Sequence, residues 1–392
     1  MIAFEDALKI VLNSAVCTTE IEEVEMLNAI ERVLAEDIIS DINMPPFDKS
    51  AVDGFACRSI DFNKKIELEI IETIPAGKCP EKEISEGKCS KIMTGAMLPK
   101  GADCVVMIED IEVNGNKIKF TKDNTAKNIC YLSEDIHIND LVLSKGCFIK
   151  PQHIAVLASV GVWKPKVYKK PKIGIISTGD ELVEPNEKPA ISQIRNSNAW
   201  QLMAQAQKSG ASAHYEGIAA DNKESTFKKI SEAIQKNDIV VLTGGVSMGD
   251  FDYVPEIMQE IGIKILFKSI AVQPGRPTVF GIKDDKYIFG LPGNPVSSFV
   301  QFEMLVKPLI KKLIGCQGEI VEITLSMGSD IYRKKSERKS FLPVSIRNGE
   351  VFPIDYHGSA HIHSYVFANG IIAIEKGVLS LKKGEKVNVR QL

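Results

Sequence analysis

One apolar run that ends in a pair of glycines constrains the fold of this chain more than any other stretch. Within 238–253, DIVVLTGGVSMGDFDY, residues 239–242 are uninterrupted apolar residues. This pattern is typical of a parallel strand that is covered on both faces. Gly244 and Gly245 follow at once, and glycine lets a backbone turn sharply and approach a ligand without an intervening Cβ. The stretch therefore predicts a buried strand followed by a tight turn.

Two aspartates come after this turn. Asp250 and Asp252 precede a helix that we expect near Pro255, so polar groups gather at the carboxyl end of the strand. Open α/β sheets bind their ligands at this edge. An ordinary strand-to-helix turn with solvated aspartates has the same local pattern, and this stretch alone does not separate the two interpretations.

Length and charge define the class of protein. A chain of 392 residues predicts two to four domains. The formal net charge of −3 gives no general reason to expect nucleic acid. No apolar run reaches the ~18 residues of a membrane span, and the amino terminus lacks the pattern of a signal peptide. We expect a cytoplasmic protein that binds neither nucleic acid nor membranes.

Cysteine and histidine offer little metal chemistry. The eight cysteines are scattered without a CxxC pair, which favours reduced structural thiols. His357, His361 and His363 form one cluster, but no nearby cysteine completes a ligand set. A polar loop is the favoured interpretation.

The pattern of the chain changes several times. Residues 4–15 and 29–34 are predicted to be short helices, and Asn114-Gly115 marks a hairpin in a series of short strands. Pro151 suits the first turn of another helix. A lysine-rich connector before residue 171 is the predicted main boundary, and residues 379–389 predict a terminal hairpin. The predicted domains are a helical and linker domain, a small mostly-β module, an α/β domain and a carboxyl-terminal β domain, at 1–40 with 141–170, 41–140, 171–318 and 319–392.

Strands alternate with helical patterns in the α/β domain, which predicts a central doubly wound parallel sheet. Three of its strand ends lead into STGDE, TGGVSMGDFD and LPGNPVSS. In the last, Asn294 is predicted to cap a helix that starts at Pro295 and can hold an anion. Four carboxylates converge at this edge and provide oxygen ligands for a hard cation: Asp180, Glu181, Asp250 and Asp252. A metal that bridges a phosphate ester is the chemistry this arrangement supports.

Together these motifs resemble the molybdopterin molybdenumtransferases, the MoeA and gephyrin E-domain family. The resemblance covers essentially the whole chain, since the motifs occur in the family's order and spacing: PPFDKSAVDGFA, IMTGAMLPKGADCVVM, SEDI, ISTGDEL, IRNSN, TGGVSMGDFDY, QPGRP and GLPGNPVSS. It implies cleavage of adenylylated molybdopterin with release of AMP and insertion of molybdate, assisted by Mg²⁺. It also implies a homodimer in which the β module of one subunit faces the α/β domain of the other, and an upstream molybdopterin adenylyltransferase as a partner.

The same resemblance implies roles for individual residues. The implied catalytic residues are Asp53, Thr94, Asp135, Glu181 and Asp252. The implied substrate-binding residues are Gly244, Gly245, Ser247, Arg276, Pro292, Pro295, Ser297, Arg338 and Ser359. The implied metal ligands are Asp180, Glu181, Asp221, Asp250 and Asp252. Of the substrate-binding residues, Arg276, Ser297, Arg338 and Ser359 suit a tetrahedral oxyanion, because guanidinium and hydroxyl groups are donors.

The chain departs from the family pattern at two places. Gln273 stands where the family usually has lysine, and Cys130 and Tyr131 stand where it tends to have arginines. Weaker molybdate binding, or tungstate as the oxyanion, is compatible with these changes. Two further alternatives are a nucleotide or pyrophosphate hydrolase and a non-catalytic scaffold, although QPGRP and the retained carboxylates argue against them.

Overall fold

The structure, a computed structural model, describes residues 1–246, 253–316, 322–356 and 358–392. A six-stranded sheet forms the centre of the α/β domain. Its strands, in spatial order, are Ser212–Ala219, Lys172–Thr178, Ile239–Thr243, Lys286–Leu291, Val279–Lys283 and Lys264–Phe267. The first four are parallel, whereas Val279–Lys283 is antiparallel to both of its neighbours. The predicted doubly wound sheet is confirmed, with one antiparallel strand added by a hairpin around Asp284.

Helices cover both faces of this sheet. Lys223–Lys236 and Val254–Glu260 pack on one face. Ser197–Ser209 packs on the other, together with a continuous helical segment made of Pro295–Gln301, the π-helical Phe302–Val306 and Lys307–Leu313. Residues 239–243 are fully buried because they lie in the middle of both cores. The uninterrupted apolar run is thereby explained.

The amino-terminal helix also packs on the α/β domain. Phe4–Ser14 inserts Phe4, Ala7 and Val11 into the same core as Phe302. The prediction of a helix over 29–34 is wrong, because the chain instead forms a 3-10 turn, Met26–Ala29, which ends where that helix was expected to begin. The physical reason is Glu31, whose φ of 61° lies in the left-handed region and does not continue a helix.

A small linker domain forms around the helix Pro151–Ser159, which starts at proline as predicted. Three antiparallel strand pairs tie it and the adjoining segments together. They are Ile21–Glu23 with Lys166–Tyr168, Ile38–Ile39 with Leu141–Leu143, and Lys49–Ser50 with Ile129–Cys130.

The β module has a six-stranded mixed sheet. Its strands, in spatial order, are Cys104–Met107, Gly54–Cys57, Lys88–Ile92, Leu68–Ile74, Lys117–Phe120 and Ile111–Asn114. The predicted hairpin at Asn114-Gly115 is confirmed, because the last two strands pair with Asn114 opposite Lys117. Two short helical segments, Ser59–Asn63 and Ile108–Asp110, lie in its connections.

The carboxyl-terminal domain is a closed barrel. Its strands, in spatial order, are Lys339–Arg347, Glu350–Pro353, Glu322–Met327, Lys386–Gln391 and Gly370–Ile374, and the last pairs with the first. The predicted hairpin over 379–389 is wrong. Ser380–Leu381 pairs instead with Ile331–Tyr332, and Lys386–Gln391 pairs with two barrel strands, because closing the barrel satisfies both of its edges. A 3-10 segment, Ile362–Phe367, precedes strand Gly370–Ile374.

One short strand of the α/β domain extends the barrel. Val272–Gln273 pairs in parallel with the start of Lys339–Arg347. The QPGRP segment therefore lies at the junction of the two domains. Among helices in the described parts of the chain, none has the length and apolar character needed to cross a bilayer.

Candidate active site

A cavity of about 590 Å³ opens at the carboxyl ends of the parallel strands. It lies where strand order reverses, between Lys172–Thr178 and Ile239–Thr243, the place where open α/β sheets bind ligands. The predicted site residues on its wall are Glu181, Asp221, Gly244, Gly245, Pro292 and Pro295. The structure therefore brings together residues from all three predicted strand-end turns.

The glycine turn needs glycine for two reasons. Gly244 and Gly245 have φ of 97° and 65°, in the region that side chains rarely adopt. A Cβ on Gly244 would also lie 2.5 Å from the Thr178 hydroxyl oxygen. The turn can pack against the neighbouring strand end only because it has no side chain.

Two acidic residues, Asp180 and Asp221, are hydrogen-bonded to each other, and Glu181 lies beside them. The backbone N–H of Asp180 donates to Asp221 Oδ2 at 3.3 Å, and the N–H of Asp221 donates to Asp180 Oδ1 at 3.0 Å. Glu181 folds back over Gly179, where an added Cβ would lie 2.3 Å from Glu181 Oε2. Within the described ranges, no three His, Cys, Asp or Glu side chains are close enough to hold a metal by themselves.

Asn198 connects two of the turns. Its side-chain amide donates to the Thr243 hydroxyl at 3.0 Å and to the Gly293 carbonyl at 2.6 Å. Thr243 in turn donates to the Pro292 carbonyl at 3.2 Å. Two strand ends and the start of helix Ser197–Ser209 are thus held in one hydrogen-bonded unit at the cavity wall.

A second polar network holds the start of the same helix in place. Asn196 caps helix Ser197–Ser209 by accepting from the Ala199 N–H, accepts from Ser177 and donates to the Tyr215 hydroxyl. Tyr215 donates to Glu184 at 2.6 Å. Burial and this bond to a carboxylate raise the pKa of Tyr215, so its hydroxyl stays protonated as a donor.

Sequence reasoning missed Asn196, Asn198 and Thr243 as site residues. The two asparagines were visible in the IRNSN motif. The partners of Asn198 lie about 45 and 95 residues away in the sequence, so its bonds depend on how distant strands pack. A short motif carries no signal for those partners.

The helix predicted at Pro295 begins there, but Asn294 does not cap its amino-terminal end as predicted. Asn294 occupies the cap position, but its side chain donates to the Ser359 hydroxyl at 2.9 Å rather than capping the helix. The Val296 N–H donates to the Ser359 carbonyl at 3.0 Å. The barrel domain therefore closes this end of the cavity and uses one of the helix's free donors, while Ser297 lies buried in the first turn.

The predicted oxyanion arginines lie near the domain junction. Arg338 donates from Nη1 to the Val272 carbonyl at 3.2 Å, so it adjoins the QPGRP segment. Arg276 is exposed, and the next residue, Pro277, lines the cavity. The structure thus places Arg276 within this segment and Arg338 beside its start.

Three predicted catalytic residues belong to the β module instead. Thr94 donates its N–H and its hydroxyl to Asp53, at 2.6 and 2.9 Å. The Asp135 N–H donates to the Met44 carbonyl at 2.9 Å. None of the three lines the 590 Å³ cavity.

Four other residues singled out in the sequence lie outside the described residues: Ser247, Asp250, Asp252 and His357. Their roles stay predictions from the sequence. His363 packs its ring edge-on against Phe367, in the 3-10 segment of the barrel domain.

Comparison with known proteins covers almost the whole chain. Residues 2–161 match the MoeA N-terminal region (domain I and II), residues 174–312 match a probable molybdopterin binding domain, and residues 329–392 match the MoeA C-terminal region (domain IV). Molybdopterin molybdenumtransferase of Staphylococcus aureus strain Mu50 is 35% identical over 93% of this chain and 90% of its own length. The protein of the same name from Staphylococcus epidermidis strain RP62A is 35% identical over 99% of this chain and 95% of its own.

Solved structures show the same likeness. A molybdopterin biosynthesis MoeA protein from Pyrococcus horikoshii OT3 is 31% identical, covers 100% of both chains and superimposes with a TM-score of 0.87. Another structure of a MoeA protein from this organism is 34% identical, covers 100% of this chain and 99% of its own, and has a TM-score of 0.81.

Proposed function

This chain belongs to the MoeA family of molybdopterin molybdenumtransferases, and we propose that it completes molybdenum cofactor from adenylylated molybdopterin and molybdate, with release of AMP. The observation that carries the proposal is the cavity at the strand-order reversal, where Glu181 and Asp221 face two glycine turns. Carboxylates and a close-approach backbone are what a phosphate ester and an assisting cation require together. The cavity is large enough for part of a drug-sized ligand.

In this proposal, different residues of the chain have separate roles in binding the substrates. The ligand's phosphate link lies against the turn at Gly244 and Gly245, which lines the cavity with backbone atoms. Asn198 holds this turn's strand at a fixed distance from the LPGNP turn. Arg276 and Arg338 supply charged donors for the oxyanion near the domain junction.

The donor set fits Mg²⁺. Mg²⁺ in proteins is commonly held by one or two carboxylates together with substrate phosphates, so a preformed cluster of three protein ligands is not required. Glu181 and Asp221 face the cavity, with Asp180 directly beside Asp221. When bound, Mg²⁺ neutralises phosphate charge and makes the link easier to break.

The functional unit is a homodimer in this proposal. Asp53, Thr94 and Asp135 sit in the β module and do not line the cavity of their own chain. Two-fold symmetry would let each chain supply these residues to its partner's cavity and produce two equivalent sites. The protein acts in the cytoplasm and receives its substrate from a molybdopterin adenylyltransferase.

The test is reconstitution with purified components. The protein is mixed with adenylylated molybdopterin, Mg²⁺ and molybdate, and both AMP and active cofactor are measured. A Glu181→Gln variant tests the cavity, and Glu187→Gln is a matched control on the exposed loop that follows it. We expect Glu181→Gln to lower AMP release by about 10² or more, the scale for loss of a positioned catalytic group, and Glu187→Gln to leave it unchanged.

The alternatives give different products. A hydrolase would release AMP without forming active cofactor, and a scaffold would bind molybdopterin without releasing AMP. Replacing molybdate with tungstate in the same mixture tests the other oxyanion. Absence of AMP from the wild-type protein under all these conditions would refute the proposal.

A further inference from the structure

A loop beside the 590 Å³ cavity is closed at its base by two short parallel strands. Leu182–Val183 pairs with Ile194–Arg195, and the Ile194 N–H donates to the Glu181 carbonyl at 2.8 Å. Residues 184–193, which we call the flap, connect the two strands and are mostly exposed. Residues of both strands line the cavity. The base of the flap is therefore part of the cavity wall and is bonded to the backbone of Glu181.

One hydroxyl group joins the ends of these two strands. Because the strands run in parallel, the residues that follow them, Glu184 and Asn196, lie at the same end of the pair. The Tyr215 hydroxyl donates to Glu184 Oε1 at 2.6 Å and accepts from Asn196 Nδ2 at 2.9 Å. The Asn196 N–H donates in turn to the Val183 carbonyl at 2.8 Å. Tyr215 thus connects both strands through a single oxygen atom.

Tyr215 is itself held by the central sheet. It lies on strand Ser212–Ala219, where it pairs with Ile175 of the neighbouring strand. Its ring packs against Trp200, with ring centroids 5.6 Å apart. The hydroxyl therefore ties the flap to a rigid element, and a phenylalanine at this position would keep the ring contact while losing the bonds.

The strand pair gains from such a tie because it is short. Each strand has two residues, and an isolated pair of strands is marginally stable in water. Other bonds of this loop stay within it, such as the one from Arg195 Nε to the Glu187 carbonyl at 3.1 Å. The bond from Tyr215 to Glu184 is different, since it runs from the flap to the central sheet.

We propose that this bond is a latch, and that Tyr215 is a positioning residue that holds Glu181 in place for cation binding at the cavity. The effect passes through the backbone, because Glu181 lies three residues before Glu184 and its carbonyl accepts from Ile194 at the base of the flap. The role of Glu181 in binding Mg²⁺ rests on the proposed function, whereas the latch itself does not.

Four variants of the full-length protein test the latch. Tyr215→Phe removes the hydroxyl, and Glu184→Ala removes its acceptor. Glu184→Gln removes the charge but keeps an Oε1 that can accept, so it is the conservative variant. Tyr332→Phe is the matched control, because the Tyr332 hydroxyl also donates to a carboxylate, that of Asp330 at 2.8 Å, but lies in the barrel domain.

Hydrogen exchange of the protein without substrate measures the latch directly. We expect the amides of Ile194 and Asn196 to exchange about tenfold faster in Tyr215→Phe and Glu184→Ala, the scale for losing a hydrogen bond to a charged group. Glu184→Gln and Tyr332→Phe should exchange like the wild type. Helix Lys223–Lys236 is the internal reference and should be unchanged in all four variants.

AMP release at increasing Mg²⁺ concentration measures the positioning of Glu181. We expect the half-saturating Mg²⁺ concentration to rise about tenfold in Tyr215→Phe and Glu184→Ala, the effect of losing a group that orients a metal ligand. The rate at saturating Mg²⁺ should stay within about twofold of the wild type, because the ligand itself is retained. A general loss of stability would lower the rate without changing the Mg²⁺ requirement.

Each contrary result overturns a different part of the inference. Unchanged exchange at Ile194 and Asn196 in Tyr215→Phe would refute the latch, and so would equally faster exchange in helix Lys223–Lys236, because the fold as a whole would then be weakened. Localised faster exchange with an unchanged Mg²⁺ requirement would refute the positioning role alone. Absence of AMP from the wild-type protein would refute the proposed function and with it the positioning role, while the exchange data would still decide the latch.

Discussion

Thr94 donates two hydrogen bonds to a single oxygen of Asp53, from its backbone N–H at 2.6 Å and from its hydroxyl at 2.9 Å. These bonds lower the pKa of Asp53, with the backbone bond contributing most. Because Asp53 is exposed, burial does little to oppose them. The two bonds keep this exposed carboxylate ionised and fix its direction. Both properties suit a group that contacts another protein surface.

Replacing the Thr94 hydroxyl should therefore raise the Asp53 pKa. In Thr94→Val the backbone bond remains and the hydroxyl bond is lost, so we expect the pKa to move part of the way back to its ordinary value. Thr94→Ser keeps both bonds and should titrate like the wild type. Carbon NMR of the Asp53 carboxyl across acidic pH measures the three curves, and identical curves would contradict the role of the hydroxyl.

The same shift fixes the sign of the pH dependence. A carboxylate whose folded pKa is lowered stabilises the fold above its unfolded pKa, and that contribution disappears as pH falls through the folded pKa. We expect wild type and Thr94→Val to differ in stability at neutral pH and to converge at strongly acidic pH. Denaturation at several pH values checks this.

Asn198 should contribute to stability as well as to the cavity. Asn198→Ala leaves the buried Thr243 hydroxyl with one donor fewer and removes the bond to Gly293. We expect the free energy of unfolding to fall by about 1–3 kcal/mol, the usual effect of losing buried hydrogen bonds. Gln207→Ala, on an exposed position of the same helix, is the control and should change it little. Urea denaturation measures both, and equal effects would exclude a special role for Asn198.

Gly244→Ala tests whether the turn must lack a side chain. Its Cβ would lie 2.5 Å from the Thr178 hydroxyl oxygen, and φ is 97°. Gly262→Ala is a matched control, with φ of 85° and open space around its Cβ. The control should lose about 1 kcal/mol from backbone strain. Gly244→Ala should lose about 2 kcal/mol more from the clash, and should bind adenylylated molybdopterin more weakly. Equal losses in thermal denaturation would mean that Thr178 moves aside at no cost.

The central sheet could be predicted from the sequence because its signals are local. An apolar run such as 239–242 is long enough to identify a buried strand, and the glycines after it mark where the strand must end. Strands of one parallel sheet end at one edge, so Glu181, Gly244 and Pro292 could be expected to meet. The cavity brings those three together.

Partners distant in sequence could not be predicted. Strand Lys386–Gln391 pairs with Glu322–Met327 and Gly370–Ile374 rather than with its neighbour, because barrel closure decides its pairing. A two-residue strand such as Ser380–Leu381 has no alternation from which to infer its partner. The bonds of Asn198 depend on tertiary packing in the same way.

Gln273→Lys should strengthen oxyanion binding. Residue 273 is exposed and lines a pocket of about 310 Å³ together with Arg333, Lys334 and Lys335, so a lysine there would add an ammonium to three existing cations. An ammonium-to-oxyanion bond is stronger than one from a neutral amide, by about 1–2 kcal/mol. Calorimetry with molybdate should show tighter binding by that amount. Gln259→Lys, on a helix away from the pocket, adds the same charge and should have no such effect.

The last prediction concerns how two chains build one site. Asp53 lies in the β module and Glu181 lines the cavity of the α/β domain, so a shared site would need these residues from opposite subunits. If Asp53→Ala and Glu181→Ala chains are co-expressed with different tags, tandem purification isolates the mixed dimer. One of its two sites would then carry both lesions and the other neither, because two-fold symmetry gives each site one residue from each chain. We expect the mixed dimer to release AMP at about half the wild-type rate per dimer, while both mutant homodimers stay inactive. If each site were built within a single chain, every site in the mixed dimer would carry one lesion. Activity no higher than that of the mutant homodimers, in a confirmed mixed dimer, would thus rule out sharing.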